Sequence, residues 1–333
     1  MGFYTDKKVL VAGGTGMIGI SLVKMLIREG AYVRIASLDD GSRAHPQAEF
    51  NKVDLTKFEN CKKVCEGIDY VFNLLCIKGS PKTMKELPAS VFTPMILFNT
   101  NLLEAARQCN VKGYLFTSTL GVYSPAEIFY EDDVWKTFPS ENDRFAGWAK
   151  RMGELQTMAY KIQYGWDKIA IVRPANTYGS YDNFNPINSM VVPSLIKRVI
   201  DGENPLIVWG DGSPIRDFIH ADDVARGIML AFEKCPGPEY PINLGSGKGY
   251  SVKELVEIIL DNVQNKPEVI WDNSKPSGDK IRVMDISRAK SLINWEPQIS
   301  LKEGIKQTME WYKENKNSLP EIYDGFKDSK KNL

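Results

Sequence analysis

The 333-residue sequence predicts an α/β protein: a doubly wound parallel sheet followed by a smaller mixed α/β C-terminal domain. Three observations predict it. Apolar runs of strand length alternate with helix-length segments over the first half, the pattern of a parallel sheet covered by helices on both faces. A glycine-rich turn, GGTGMIG, joins the first strand run directly to the first helical segment. After Arg173-Pro174 the texture changes to a stretch rich in Asn, Gly, Pro and Tyr, with shorter and more mixed elements beyond it.

Taken in order, Val9-Leu10-Val11-Ala12 reads as a buried strand. The helix after it sets Leu22, Val23, Leu26 and Ile27 on one side and is ended by Gly30. A second strand, Tyr32 to Ala36, follows at once. Then come a helix near Cys61–Glu66, a strand at Asp69–Leu75, a helix at Met95–Cys109 and a strand at Tyr114–Thr117. A long helix at Asp143–Tyr164 and a strand at Ile169–Val172 complete the regular part. Residues 174–188 read as loop. Beyond it the pattern predicts a helix near Ser189–Asp201, a strand at Leu206–Trp209, helices at Asp222–Glu233 and Val252–Asn262, and a final helix at Leu301–Asn315. The tail over 321–333 is polar and expected to be loosely held.

Composition removes several functions. The 42 basic and 42 acidic side chains cancel, so no global basic field draws nucleic acid or an anionic membrane. Two histidines, His45 and His220, are too few for a multi-histidine metal site; His220 is expected to cap or brace the fold and His45 to be solvated. Five cysteines form no regular framework, and Cys61 and Cys65, four apart on one helix side, read as packing rather than as a metal or redox pair. No apolar stretch is long enough to span a bilayer, and the N-terminus lacks a signal-peptide profile. Asp6 spoils a myristoylation match at Met1-Gly2. A cytoplasmic protein is the expectation.

Gly13, Gly16 and Gly19 sit between a strand and a helix, at the first βα junction of a Rossmann-type sheet. Glycine there permits the tight turn and lets the backbone approach a diphosphate, which the helix N-terminus then binds through its N–H groups. The second strand should end near the adenosine ribose. An acid at that point accepts from both ribose hydroxyls and repels a 2′-phosphate, whereas an arginine does the reverse. The sequence offers Asp39 and Asp40 but also Arg43, which favours NAD and leaves NADP open. Asp54, in VDLT after the next short strand, is placed to contact adenine.

These motifs resemble the extended short-chain dehydrogenases/reductases, of NAD-dependent epimerase/dehydratase type, that act on nucleotide sugars. The resemblance runs from Lys8 to about Tyr312 and is carried by GGTGMIG, DLT at 54–56, LFTSTLGVYS, AKRMGE at 149–154, RPANTYG at 173–179 and RDFIHADDVA at 216–225. Within that family the likeness is greatest to the GDP-fucose synthase group, through YDNFNPINSMVVPSLIKR (181–198), VWGDGSPIRDF (208–218) and KPSG (275–278). It implies a dinucleotide-binding domain over residues 1–175 and a nucleotide-sugar-binding domain over 176–320, with some later elements returning to the first. Cofactor contacts are implied for Gly13, Gly16, Met17, Ile18 and Gly19, for Asp39, Asp54, Leu55 and Leu74, and for Lys150 and Pro174. For a GDP-linked sugar, the likeness sets Asn176 and Asn188 toward sugar and phosphates, Arg198 and Arg216 at the diphosphate, and Trp209 beside the base. A surface ion pair for each arginine, and a place in the core for Trp209, stand as alternatives. A homodimer is implied as well, joined through the helices at Met95–Cys109 and Asp143–Tyr164.

The family's proton relay is a Ser or Thr, a Tyr, and a Lys four residues after the Tyr. Thr119 and Lys150 match the first and last. The tyrosine is missing: Ala146 stands four residues before Lys150, and Phe145 five before. The candidates to replace it are Lys150 itself, with its pKa lowered by burial, and Tyr123, Tyr130, Glu131 or Asp132 from the loop. Loss of catalysis, with Lys150 kept only to bind the nicotinamide ribose, is the other reading. The likeness also calls for a cysteine and a histidine that epimerise the sugar carbons; Gly121 and Met190 stand there, and neither exchanges a proton.

Overall fold

The computed structural model describes residues 2–79, 81–275 and 278–326. The first half supplies β1 (Lys8–Ala12), β2 (Tyr32–Ser37), β3 (Glu49–Lys52), β4 (Tyr70–Asn73), β5 (Gly113–Thr117), β6 (Ile128–Phe129), β7 (Ile169–Pro174) and β8 (Asn176–Tyr178). The second half supplies β9 (Leu206–Trp209), β10 (Ile215–Arg216), β11 (Phe218–His220), β12 (Ile242–Leu244), β13 (Tyr250–Ser251), β14 (Val269–Asp272) and β15 (Ile281–Met284). Seven strands form one sheet in the order β12-β7-β5-β4-β1-β2-β3. Every pairing in it is parallel. The chain winds outward from β1 in both directions, so the β1/β4 gap is the switch point where such sheets take ligands, at their carboxyl ends.

The helices are α1 (Met17–Arg28), α2 (Phe58–Cys65), α3 (Pro81–Glu86), α4 (Pro88–Gln108), α5 (Arg144–Tyr164), α6 (Val191–Ile200), α7 (Ala221–Lys234), α8 (Val252–Leu260), α9 (Ser287–Ile293) and α10 (Leu301–Asn315). Val9 and Val11 pack with Leu22, Leu26, Ile228 and Phe232 of α1 and α7. Leu10 and Ala12 point the other way, into a cluster with Cys61, Leu102 and Phe116 under α2 and α4. That is the period-two alternation of a strand buried on both faces. Cys61 and Cys65 are thus packing residues, and burial pushes the Cys61 thiol up to about 12. A third cluster, with Leu195, Ile259 and Ile305, joins α6, α8 and α10. Small sheets β13-β10-β15-β6, β11-β8 and β14-β9 complete the C-terminal part. Among the described residues no helix is long and apolar enough to cross a membrane.

The structure differs from the sequence expectations in several ways, beginning with α3, α9 and most of the short strands, which the sequence pattern does not pick out. α4 starts at Pro88 and runs through Pro94, where the sequence pattern suggests a later start. Within the expected loop at 174–188, β8 forms because β11 lies beside it, pairing Asn176 with Phe218 and Tyr178 with His220. β12, a strand that the sequence pattern does not pick out, joins the main sheet against β7, pairing Ile242 with Val172. The tail is not loose as far as it is described: Phe326 is 1% exposed in the apolar cluster with Leu55 and Met95, because its ring finds apolar neighbours that the polar residues around it do not need. Residues 327–333 of that tail, and Pro276 and Ser277 of KPSG, lie outside the described residues.

Candidate active site

The carboxyl end of β1 passes into the glycine turn, and the close packing there is measurable. A Cβ on Gly19 would lie 2.2 Å from Gly13 O, so only glycine lets α1 come this near the strand. Gly13 has φ +83, a left-handed conformation that glycine adopts without strain. Gly16 caps α1 without a side-chain hydrogen bond, and the first turn carries no acid. The N–H groups beginning at Met17 and Ile18 are therefore suited to an anion. At the end of β2 the Thr15 hydroxyl lies 2.6 Å from Asp39 Oδ2 and 2.7 Å from Ser37 Oγ. Arg43 is turned to other partners: Nε donates to Thr15 O and Nη2 to Tyr181 O. Asp54 accepts from the Thr56 amide and hydroxyl, beside the buried Leu55. Leu74 abuts Gly13, whose Cβ would stand 3.3 Å from the Leu74 carbonyl carbon. Pro174 is buried at the end of β7.

Lys150 lies on α5 and is 1% exposed. Its Nζ donates to Thr117 O at 2.6 Å and Leu75 O at 2.8 Å, which fixes the ammonium between the ends of β5 and β4. One of its three donors is left for a ligand. Burial lowers its pKa, against the opposing influence of Cys76 and Glu154. Beside it the hydroxyls of Thr117 and Ser118 are buried with no partner among the described residues. Such orphaned donors at a strand end suit a bound polar ligand. Thr119 opens a short turn by accepting from Gly121 N. That turn is clamped under α5: Arg151 donates to Val122 O, and a Cβ on Gly147 would lie 2.3 Å from Gly121 O.

Two of the loop candidates for the missing phenol, Tyr123 and Glu131, are buried and engaged elsewhere. Tyr123 OH donates to Asn243 Oδ1 at 2.6 Å and accepts from Arg173, and burial pushes its pKa up. Glu131 is buried and takes the Asn243 amide at 3.1 Å, and Asp132 is held by Arg288 at 2.6 Å. Tyr130 is 48% exposed. Tyr123 and the Glu131 carbonyl belong to a buried brace, in which Arg173 pairs with Glu154 through two bonds of 2.9 and 2.6 Å. Asp143 is a carboxylate that borders the same gap as Thr119. A Cβ on Gly121 would lie 3.3 Å from Asp143 Cγ and 3.5 Å from Thr119 Cγ2, so both border the space that glycine leaves open. Asp143 is held by Arg282 at 2.6 Å, and Arg282 also binds Asp279. Sequence reasoning passed over Asp143, although it precedes Lys150 by seven residues, two helical turns on the same face.

Toward the C-terminal part, Asn188 is buried, with Oδ1 accepting from the Thr83 hydroxyl at 3.3 Å. Asn176 Nδ2 donates to Asp217 O. Trp209 is 58% exposed on β9 and so is not a core residue. Arg216 lies near Arg282, Asp279 and Asp143, and burial followed by Arg282 lowers its pKa to about 10. Arg198 does not point open: its fork is closed on Glu203, with Nη2 also donating to Ile207 O. His220 accepts from the Asp222 amide and caps α7, the bracing role expected of it.

A doubly wound sheet with this glycine turn, an acid just after β2, and a Thr and Lys at the end of β5 defines a dinucleotide-binding fold. Residues 9–245 match the NAD dependent epimerase/dehydratase family, and the chain belongs to that family. It is 32% identical over 325 residues to the probable GDP-L-fucose synthase 1 of Oryza sativa subsp. japonica, covering 94% of each chain. Among solved structures, it matches UDP-glucose 4-epimerase of Thermotoga maritima with UDP-glucose at TM-score 0.84 and 27% identity, over 92% of this chain and 99% of that chain. It matches the Thermus thermophilus UDP-glucose 4-epimerase complex with NAD at TM-score 0.80 and 25% identity, over the same shares, 92% and 99%. The family is one of NAD-dependent nucleotide-sugar epimerases and reductases, and the residues at the ends of β1 and β2 fit that cofactor.

Proposed function

We propose that the chain is an NAD-dependent oxidoreductase or epimerase that moves a hydride at a ring carbon, C4, of a GDP-linked sugar, using an altered proton relay. NAD supplies the hydride acceptor or donor when bound. The chain supplies the rest. Thr119 orients the sugar hydroxyl, Lys150 binds the nicotinamide ribose and keeps positive charge beneath it, and Asp143 takes the proton across the space over Gly121. Asn176, Asn188 and Arg216 hold the sugar and its phosphates, and Trp209 offers its exposed face to the base. Arg198 acts in this reading only if it leaves Glu203.

The observation that carries the reading is the Lys150 ammonium, pinned by two strand-end carbonyls beside Thr119 while Ala146 offers no phenol. The same absence favours a second reading, a catalytically silent nucleotide-sugar binder. One experiment separates them: incubate the full chain with NAD or NADH and a panel of GDP-sugars, following nicotinamide absorbance and product mass. Turnover of any member supports the enzyme. Tight cofactor binding without turnover of any sugar leaves the silent binder.

A further inference from the structure

We propose that the C-terminal segment around Tyr323–Phe326 is a built-in competitor of the dinucleotide, lying across its groove until the cofactor displaces it. The inference rests on reading that groove as the NAD site. The Tyr323 amide donates to Asp39 Oδ1 at 2.7 Å, occupying the acid at the end of β2 that would receive the adenosine ribose. Three residues later Phe326 is packed beyond the end of β4: a Cβ on Gly79 would lie 2.8 Å from its ring, and a Cβ on Gly325 would lie 3.3 Å from Ile77 Cδ1.

Strands β2 and β4 flank β1 in the sheet. Two strand spacings separate them by about 10 Å, and the chain from Tyr323 turns at Asp324, whose Oδ1 accepts from the Phe326 amide at 3.0 Å, so that the Phe326 ring reaches the far side. The segment thus runs from the loop after β2, at Asp39, to the loop after β4, at Gly79, on either side of the strand that leads into the glycine turn. The approach is guided as well. Ser318, Leu319 and Pro320 line a cavity with Arg43 and His45, leading the chain from the end of α10 toward Asp39.

The competition is physical. Asp39 has Oδ2 beside the Thr15 hydroxyl and Oδ1 accepting from the Tyr323 amide, so a ribose that approaches Oδ1 meets the backbone of this segment and must share the oxygen with it or displace it. Binding must also re-expose the Phe326 ring. Apparent affinity is then reduced by the fraction of molecules in which the groove is open.

The test compares NADH binding, by nicotinamide fluorescence, in the unaltered full chain and in full-length Phe326→Ala and Tyr323→Pro. The first removes the buried ring; the second removes the amide N–H given to Asp39. Both variants should bind NADH about tenfold tighter or more, the ring's burial setting that scale. In the unaltered chain, NADH should speed hydrogen exchange at the amides of Tyr323–Phe326. Equal or weaker binding by both variants overturns the proposal while leaving the dinucleotide reading intact. Failure of all three proteins to bind NADH overturns the two together.

Discussion

Asp143 owes its place in the proposed relay to a residue that is absent. Where the family likeness calls for cysteine, Gly121 leaves a gap that the Asp143 side chain borders from one side and Thr119 from the other. Replacing Asp143 by Asn keeps the volume and removes the proton acceptor. With a sugar that the chain turns over, kcat should fall about a hundredfold while NADH affinity stays unchanged, measured by steady-state rates and fluorescence titration. An unaltered kcat would return the relay to Lys150 alone. Gly19 makes the opposite case, a position where nothing can be added. Gly19→Ala drives a Cβ to 2.2 Å from Gly13 O, so α1 must move off the strand. NADH affinity should drop at least about tenfold in the same titration, since the first-turn N–H groups move with the helix. Of the proposed site, Thr119, Lys150 and the glycines are legible in the sequence because local spacing marks them. Asp143 is not, because its role depends on how closely α5 presses on the turn after β5.

Helices α4 and α5 show what the amphipathic pattern conveys and what it leaves out. Glu104 of α4 accepts from Arg107 and from the Tyr160 hydroxyl of α5 at 2.7 Å. Arg107 first, then Gln108 and Tyr160, hold its carboxyl down to about 2. A folded-state pKa below the unfolded value means a stabilisation present above the ordinary glutamate range and lost as pH falls toward about 2. Glu104→Gln should therefore cost about 0.5–1 kcal/mol near neutral pH, with the difference in Tm closing as the pH is lowered through that range. On the outer side of α5, Phe145, Met152, Leu155 and Ile162 are exposed, Ile162 by 84%, at spacings of seven, three and seven residues. That is a helix stripe suited to a second copy. If the expected homodimer uses it, Leu155→Glu with Ile162→Glu will shift the sedimentation of the chain from dimer to monomer. The longer helices are readable from the sequence to within about a turn, except that Pro94 hides the first two turns of α4, while the short α3 and α9 are not picked out at all. The short strands β8 and β12 are not readable, since three residues carry no period and each exists only through a distant partner.

At the scale of the whole molecule, the soft boundary expected near residue 175 is crossed by the chain itself. The main sheet is completed by β12, which arrives after more than sixty residues spent mostly in the smaller part. Alternating apolar runs foretold the sheet, but nothing in a three-residue run foretold which edge it would close. A fragment ending at residue 175 would keep β7 as an exposed, apolar edge. Expressed alone, it should elute as aggregate in gel filtration, whereas a fragment ending at residue 245 should hold more material in the monomer or dimer peak. The same pairing bears on synthesis. A chain leaving the ribosome carries an open hydrogen-bonding edge on β7 until Ile242–Leu244 emerge. At about 5–20 residues per second that interval lasts several seconds. During that time the nascent chain offers neighbours a template, and a chaperone that shields strand edges would have its natural moment to act.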